Sequence, residues 1–177
     1  DIMKTLLVKR LDSSFEAFKQ SLYNFLTKLK SKIKQFENKK IFIVPGLKSI
    51  DISEYVLEDR EEELEKILLN DDSKGDIYKP EDFNKDFLKK LKQDYDLIEP
   101  LYDQWKDVKE DPKYDILINN LKNNLFKKPL NSGGKVVIFS EAKVTTDYLL
   151  DKLKKDGFKK ILNIDASNRH KLKSKLQ

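Results

Sequence analysis

The sequence predicts a mostly α protein of long antiparallel helical hairpins, closed at its C-terminal end by a truncated parallel α/β piece. Two patterns predict the helices. Apolar residues recur at steps of three and four over about Met3–Glu37, and again from Phe83 to Val108. A third predicts the α/β piece. The run Lys135–Ser140 is β-branched and aromatic, a polar-apolar helix follows from about Ala142 to Asp156, and Lys160–Asp165 is a second apolar run. Strand, helix, strand in so short a span implies parallel strands joined by a crossover, and ligands bind such sheets at the carboxyl ends of the strands. Two strands cannot bury both faces of a parallel sheet. The chain is therefore expected to be a piece of a larger α/β protein, and its start at Asp1 rather than Met is expected of a fragment or a processed product.

Taken in order, the first helix carries Leu11, Phe15, Phe18, Leu22, Phe25, Leu29, Ile33 and Phe36 on one stripe, with lysines opposite. At 1.5 Å per residue it spans roughly 50 Å and needs a partner to cover the stripe. Phenylalanine is bulky for a two-stranded seam, which favours an intramolecular bundle over a simple coiled coil. Asn38-Lys39-Lys40 breaks the pattern. Ile41–Val44 reads as a strand or a buried connector, closed by the turn signal Pro45-Gly46. Ser53 is placed as the N-cap of a helix from Glu54 to about Leu69. Its carboxylates (Glu58, Asp59, Glu61, Glu62, Glu63 and Glu65) are expected to form a solvated face, because nothing nearby completes an acid/base or metal site.

Asn70–Lys79 reads as a polar loop with Gly75. Pro80 suits a first helical turn, with Glu81 and Asp82 favourable at its positive end. Phe83, Phe87, Leu91, Tyr95, Ile98, Tyr102, Trp105 and Val108 form the second stripe, and Trp105 is placed in its core rather than as a base-stacking platform. Pro100 is expected to kink or interrupt the helix. Asp111 as cap and Pro112 at the first position start another helix, with Tyr114, Leu117, Leu121 and Leu125 on its apolar side. The expected division is 1–130, a helical bundle, and 131–177, the α/β piece.

Composition narrows the functions. The chain has 177 residues, no cysteine and one histidine, His170. That removes disulfides, cysteine zinc sites and a histidine metal cluster within this chain. No apolar run approaches the roughly 18 residues of a membrane span, no leader pattern is present, and cytoplasmic location is the expectation. The net charge is +5 and the pI about 9.0. Only Arg10, Arg60 and Arg169 are arginines, so the basicity reads as a solvated lysine surface more than as a nucleic-acid patch.

Gly133-Gly134-Lys135 is not a phosphate loop. Val136 stands where Ser or Thr is required, and the glycines precede a strand instead of following one. No Gly-x-Ser-x-Gly elbow and no catalytic triad can be assembled, so no catalytic residue and no metal ligand is assigned. The candidate site is elsewhere. Ser140 at the tip of the first strand, with Lys143, Thr145 and Thr146 on the opening turn of a helix, gathers hydroxyls, an ammonium and helix N–H groups suited to an anion or a nucleic-acid backbone. Asn168, Arg169, Lys171 and Lys173 add a basic cluster. The competing reading is capping by Thr145 and Thr146 and solvation of the lysines.

Asp111-Pro112-Lys113-Tyr114 with Leu117 and Leu121, then Lys135-Val-Val-Ile-Phe-Ser-Glu-Ala, then Thr146-Asp147-Tyr148-Leu149-Leu150, resembles the start of the C-terminal RecA-like lobe of superfamily-two helicases of the Swi/Snf-like group. Asp165-Ala166-Ser167-Asn168-Arg169 looks like the segment before that family's next helix. Leu7–Phe18 resembles the "LLKRLESS…AF" helix that some bacterial members carry between their lobes. Residues 38–110 match nothing in the family. The resemblance implies that residues 131–177 begin a RecA-like lobe and that the parent protein is an ATP-dependent translocase or helicase on DNA or RNA. ATP and magnesium belong to that parent. The phosphate loop, the acidic magnesium motif and the arginine finger are not in this chain, so the resemblance implies a fragment that neither hydrolyses ATP nor unwinds a duplex. It would work with the remaining lobes in cis and lend Ser140 and its neighbours to strand contact. The alternative is a non-enzymatic helical module that docks proteins through the Leu11–Phe36 stripe. A third option is a basic nucleic-acid-binding protein without motor ancestry. An exposed sheet edge also offers a route to a homo-oligomer.

Overall fold

A computed structural model describes residues 2–43, 52–70, 76–165 and 168–172. The elements are α1 (Ile2–Ser13), α2 (Phe15–Glu37), β1 (Ile41–Ile43), α3 (Ile52–Leu57), α4 (Glu61–Asn70), β2 (Asp76–Tyr78), α5 (Phe87–Trp105), α6 (Pro112–Asn120), α7 (Lys143–Lys155) and α8 (Arg169–Leu172). Helix dominates, as the two stripes predict. The chain forms two compact units, one from Leu22–Asp107 and one from Asp1–Ser21 with Val108–Gln177.

In the first unit α2 and α5 form an antiparallel pair. Tyr23 meets Tyr102 at 6.0 Å between ring centroids, and thirteen residues along α2 Phe36 meets Phe87 at 5.5 Å. The contact partners descend as the chain ascends, which defines the hairpin. Of this unit's part of the stripe, Leu22 and Phe36 are buried and Phe25, Leu29 and Ile33 half-buried. Helix α5 runs through Pro100, so of the expected kink or interruption the interruption does not occur. The missing N–H removes one intrahelical bond, and the rest of the 19-residue helix holds without it. Trp105 ends this helix half-buried.

Helix α2 ends at Glu37 and is closed by Lys39, whose φ is 56°, with Lys40 N–H donating back to Gln35 O at 3.0 Å. This left-handed stop turns the chain into β1. Phe42, Val56, Leu64 and Leu68 form the core under it, with Ile52 and Tyr55 packed alongside. A buried glutamine joins β1 to α2. Gln35 Oε1 accepts the Phe42 N–H at 3.0 Å, and Gln35 Nε2 donates to Ser31 Oγ at 3.1 Å. Lys32 Nζ donates to both Gln35 Oε1 (3.1 Å) and Phe42 O (2.9 Å). Burial holds the Lys32 ammonium below its ordinary pKa.

Four further expectations in this unit are corrected. Ser53 lies inside α3, one residue past its start, and the single acidic helix is two helices. Asp59 at φ 58° separates them, and Arg60 N–H donates to Tyr55 O at 2.8 Å. Crowded carboxylates repel along one helix face. The break lets the Arg60 guanidinium reach Glu54, Glu58 and Glu63 at 3.0, 2.9 and 3.5 Å. Residues 76–78 of the expected loop are β2, antiparallel to β1 with Phe42 opposite Ile77. Pro80–Asp82 is a single 3-10 turn, and α5 starts only at Phe87. The turn signal Pro45-Gly46 and Gly75 lie outside the described residues.

In the second unit the break after Ser13 is also unforeseen. Ser14 Oγ accepts the Ala17 N–H at 3.0 Å, which makes Ser14 the cap of α2. The apolar stripe crosses the junction unbroken and conceals it. Asp111 caps α6 as predicted, accepting the Tyr114 N–H at 3.1 Å, and Pro112 takes the first position. A π-helical turn, Leu121–Leu125, extends α6. Helix α7 ends at Gly157, whose φ of 91° suits glycine, with Phe158 N–H returned to Leu153 O at 3.0 Å. Tyr114, Leu121 and Leu153 form the core, and Val136, Leu149, Phe158 and Ile161 pack against it.

The parallel sheet expected from Lys135–Ser140 and Lys160–Asp165 is not formed. The only sheet among the described residues is β1–β2, and it is antiparallel. Both segments run irregularly on either side of α7, tethered to the core by Val136 and Ile161. Their outer residues face water, with Val137 73% and Phe139 90% exposed. A β-branched run makes a strand only when a neighbour takes its backbone bonds, and here none does.

Candidate functional site

Four hydroxyls meet where the α1–α2 junction reaches the start of α7. Ser13 Oγ lies 2.7 Å from Thr145 Oγ1 and 3.2 Å from Ser140 Oγ, and Ser14 Oγ lies 2.9 Å from Thr145 Oγ1. Ser14 and Thr145 are buried. Ser14 and Ser140 are fixed by backbone bonds as well. Ser140 Oγ accepts the Ala142 N–H at 3.1 Å, which bends the chain into α7. A hydroxyl both donates and accepts, so the four can satisfy one another with no charge to hold.

Two tyrosines extend the contact. The Tyr148 hydroxyl donates to Asp111 Oδ2 at 2.7 Å, so the carboxylate that caps α6 also holds α7. The Tyr114 hydroxyl donates to the Asp156 carboxylate at the far end of α7. Burial first, and these carboxylates second, raise both phenols above their ordinary pKa. Lys152 Nζ stands over both rings, 5.2 Å from the centre of Tyr114 and 5.7 Å from that of Tyr148. Lys113 Nζ donates to Asp12 O, one residue before the hydroxyl cluster.

The structure places the predicted site residues unequally. Ser140 and Thr145 meet in the cluster. Thr146 turns away, its hydroxyl donating to Lys143 O at 2.8 Å within the first turn of α7. Lys143 Nζ is held by Asp165 at 2.7 Å and Asp147 at 3.7 Å. The hydrogen bond to Asp165, then the charge of Asp147, raise its pKa. A phosphate approaching Lys143 competes with two carboxylates. Arg169 sits exposed at the start of α8, tied to this region through its N–H to Asp165 O at 3.0 Å. Asp165 also receives the Asn168 N–H on Oδ1 at 3.1 Å, so one carboxylate organises both basic segments. Lys173 lies outside the described residues, as does the side chain of His170.

Ser13 and Ser14 are absent from the sequence-based set. Their signal was present: two serines before Phe-Glu-Ala, with the second placed to cap. An open cleft of ≈ 370 Å³ lies alongside, lined by Glu16, Val144, Asp147, Tyr148, Asp151, Lys152 and Lys155. Its lining mixes carboxylates and ammonium groups and sets no nucleophile beside a base. No group of three His, Cys, Asp or Glu residues that could hold a metal ion occurs among the described residues. No helix among them is long and apolar enough to cross a membrane. The acidic helix face is paired with cations instead: Lys40 meets Glu65 at 2.7 Å and Lys34 meets Asp59 at 2.6 Å. No protein-family model, no curated protein and no solved structure matches the chain.

Proposed function

We propose that this chain is part of an ATP-dependent nucleic-acid translocase or helicase of the Swi/Snf-like type, working in the cytoplasm. It would contribute a helical region and the start of the second motor lobe. One observation carries the reading. The separate segments that resemble that family, Leu7–Phe18, Asp111–Tyr114, Lys135–Ala142 and Thr146–Leu150, are joined by side-chain bonds in one unit although more than a hundred residues separate the first from the last. Of residues 38–110, which resemble nothing in the family, all but the last three fall in the other unit.

In this reading residues 22–107 are an insertion on the motor, and the hydroxyl cluster braces the inter-lobe helix against the second lobe. Ser140, Lys143, Thr145, Thr146 and Arg169 form the edge offered to DNA or RNA, with Lys143 exchanging Asp165 for a backbone phosphate. The reading also asks residues 135–140 and 160–165 to become neighbouring strands of a RecA-like sheet completed by the rest of the lobe. ATP and magnesium are held by other parts of the parent.

The test is the gene around this segment, followed by the protein it encodes. The reading predicts an upstream Gly-Lys-Thr/Ser loop, a downstream arginine motif, and ATP hydrolysis stimulated by nucleic acid in the full product. An open reading frame without those motifs, or a product that hydrolyses no ATP with DNA or RNA present, overturns it. The docking-module alternative would use the Leu11–Phe36 stripe, of which Phe18, Leu22 and Phe36 are buried and the other residues half-buried.

A further inference from the structure

The segment Lys135–Glu141 is unusual among the described residues. Val136, Val137, Ile138 and Phe139 make no hydrogen bond, so four consecutive residues leave their backbone donors and acceptors open. Exposure alternates along them: Val136 half-buried, Val137 73%, Ile138 40%, Phe139 90%, Ser140 half-buried. That period of two is the signature of an extended chain with one face on a core. Such an edge is a template for another strand.

The sequence is complementary to itself in the antiparallel sense. With Ile138 on a two-fold axis, Lys135 of one copy stands opposite Glu141 of the other, Val136 opposite Ser140, and Val137 opposite Phe139. Lys135 and Glu141 are both exposed, and neither has an ion pair among the described residues. Each end of the ladder would close with an opposite-charge pair, and the outer face would carry two aromatic–β-branched pairs. A two-fold axis needs only this one patch on both copies.

We infer that two copies of this chain associate through an antiparallel pairing of residues 135–141 about Ile138. The inference does not rest on the motor reading. It concerns the use the 177-residue chain makes of an open edge that, in the motor reading, the rest of the lobe would occupy. A ladder this short buries less than the roughly 1,200 Å² of a tight interface, so the dimer is weak and concentration-dependent.

The experiment is sedimentation equilibrium of the 177-residue chain over a wide concentration range, with circular dichroism confirming that each variant folds. The wild type is expected to show a reversible monomer–dimer equilibrium. Lys135→Glu and Glu141→Lys should each weaken it about tenfold or more, by placing like charges opposite one another. The double variant Lys135→Glu/Glu141→Lys should restore it. Because the chain lacks cysteine, a second readout is direct. Val137→Cys mixed with Phe139→Cys should form a mixed disulfide faster than either variant forms its own. A monomer at every concentration overturns the proposal. So does association that grows without limit, or that ignores the charge reversals and their rescue.

Discussion

Within residues 22–107, Phe42, Val56 and Leu64 are wholly removed from water. Within the unit built from 2–21 and 108–172, the corresponding job is shared with polar side chains: two serine hydroxyls on Thr145, two tyrosines on carboxylates, and a lysine on a backbone carbonyl. The difference follows from what each stretch of chain has to join. The first unit is contiguous, and its hairpin brings two apolar stripes together. The second gathers ends far apart in sequence around a short α6 and α7, whose shared core among the described residues centres on three buried side chains, Tyr114, Leu121 and Leu153. Apolar burial is strong and indifferent to direction. Hydrogen bonds add less energy but fix which residue meets which. The second unit therefore gains registration at the expense of core, and its apolar runs at 136–139 and 161–164 stay open.

The largest expected effect is on the apolar side. Phe42→Ala should cost about 3–5 kcal/mol, because the cavity cannot collapse beneath a strand of three residues. Urea denaturation followed by Trp105 fluorescence reads it, since the chain's only tryptophan lies in that unit. A loss below about 1 kcal/mol would mean that this core is loosely packed. In the same unit Gln35→Leu should cost about 1–3 kcal/mol by leaving the buried Phe42 N–H unpaired. A neutral result would show that β1 does not depend on the glutamine.

Alkaline titration tests the polar side. Tyr114 and Tyr148 hold their protons above the ordinary 10.0 of a phenol. Their contribution is fully present below pH 10, and it is lost as pH rises through the folded pKa values, because the unfolded chain ionises first. Tyr148→Phe should flatten the fall in melting temperature above pH 10 relative to wild type. An unchanged slope would remove the Asp111 bond from the account. The smallest effect is expected at Lys40→Ala. Its exposed pair with Glu65 should be worth about 0–1 kcal/mol, shrinking further in salt.

Much of this contrast is legible in the sequence, and the rest fails for identifiable reasons. Periodicity and caps are local, so α5 and α6 and the stop at Gly157 follow from the residues. The break at Ser14 does not, because an unbroken apolar stripe outvotes a single capping serine. The strands β1 and β2 are too short for alternation to register, and their pairing depends on Gln35, six residues before β1. Residues 135–140 have every local mark of a strand, yet a strand is a relation between two segments and composition cannot supply the second. The site divides in the same way. Ser140 and Thr145 were visible from their place before and within α7, whereas Ser13 and Ser14 join them only through folding. Lys143 looked available for an anion until Asp147 and Asp165 closed on it.

The convergence of distant segments at Thr145 carries both the architecture of the second unit and the functional reading. A double-mutant cycle between Ser14→Ala and Thr145→Val tests it most directly. The account predicts a coupling of about 0.5–3 kcal/mol between the two substitutions, measured by urea denaturation with circular dichroism at α-helical wavelengths. Additive effects within a few tenths of a kcal/mol would contradict it, for then Ser14 and Thr145 do not touch and the α1–α2 junction is not pinned to α7.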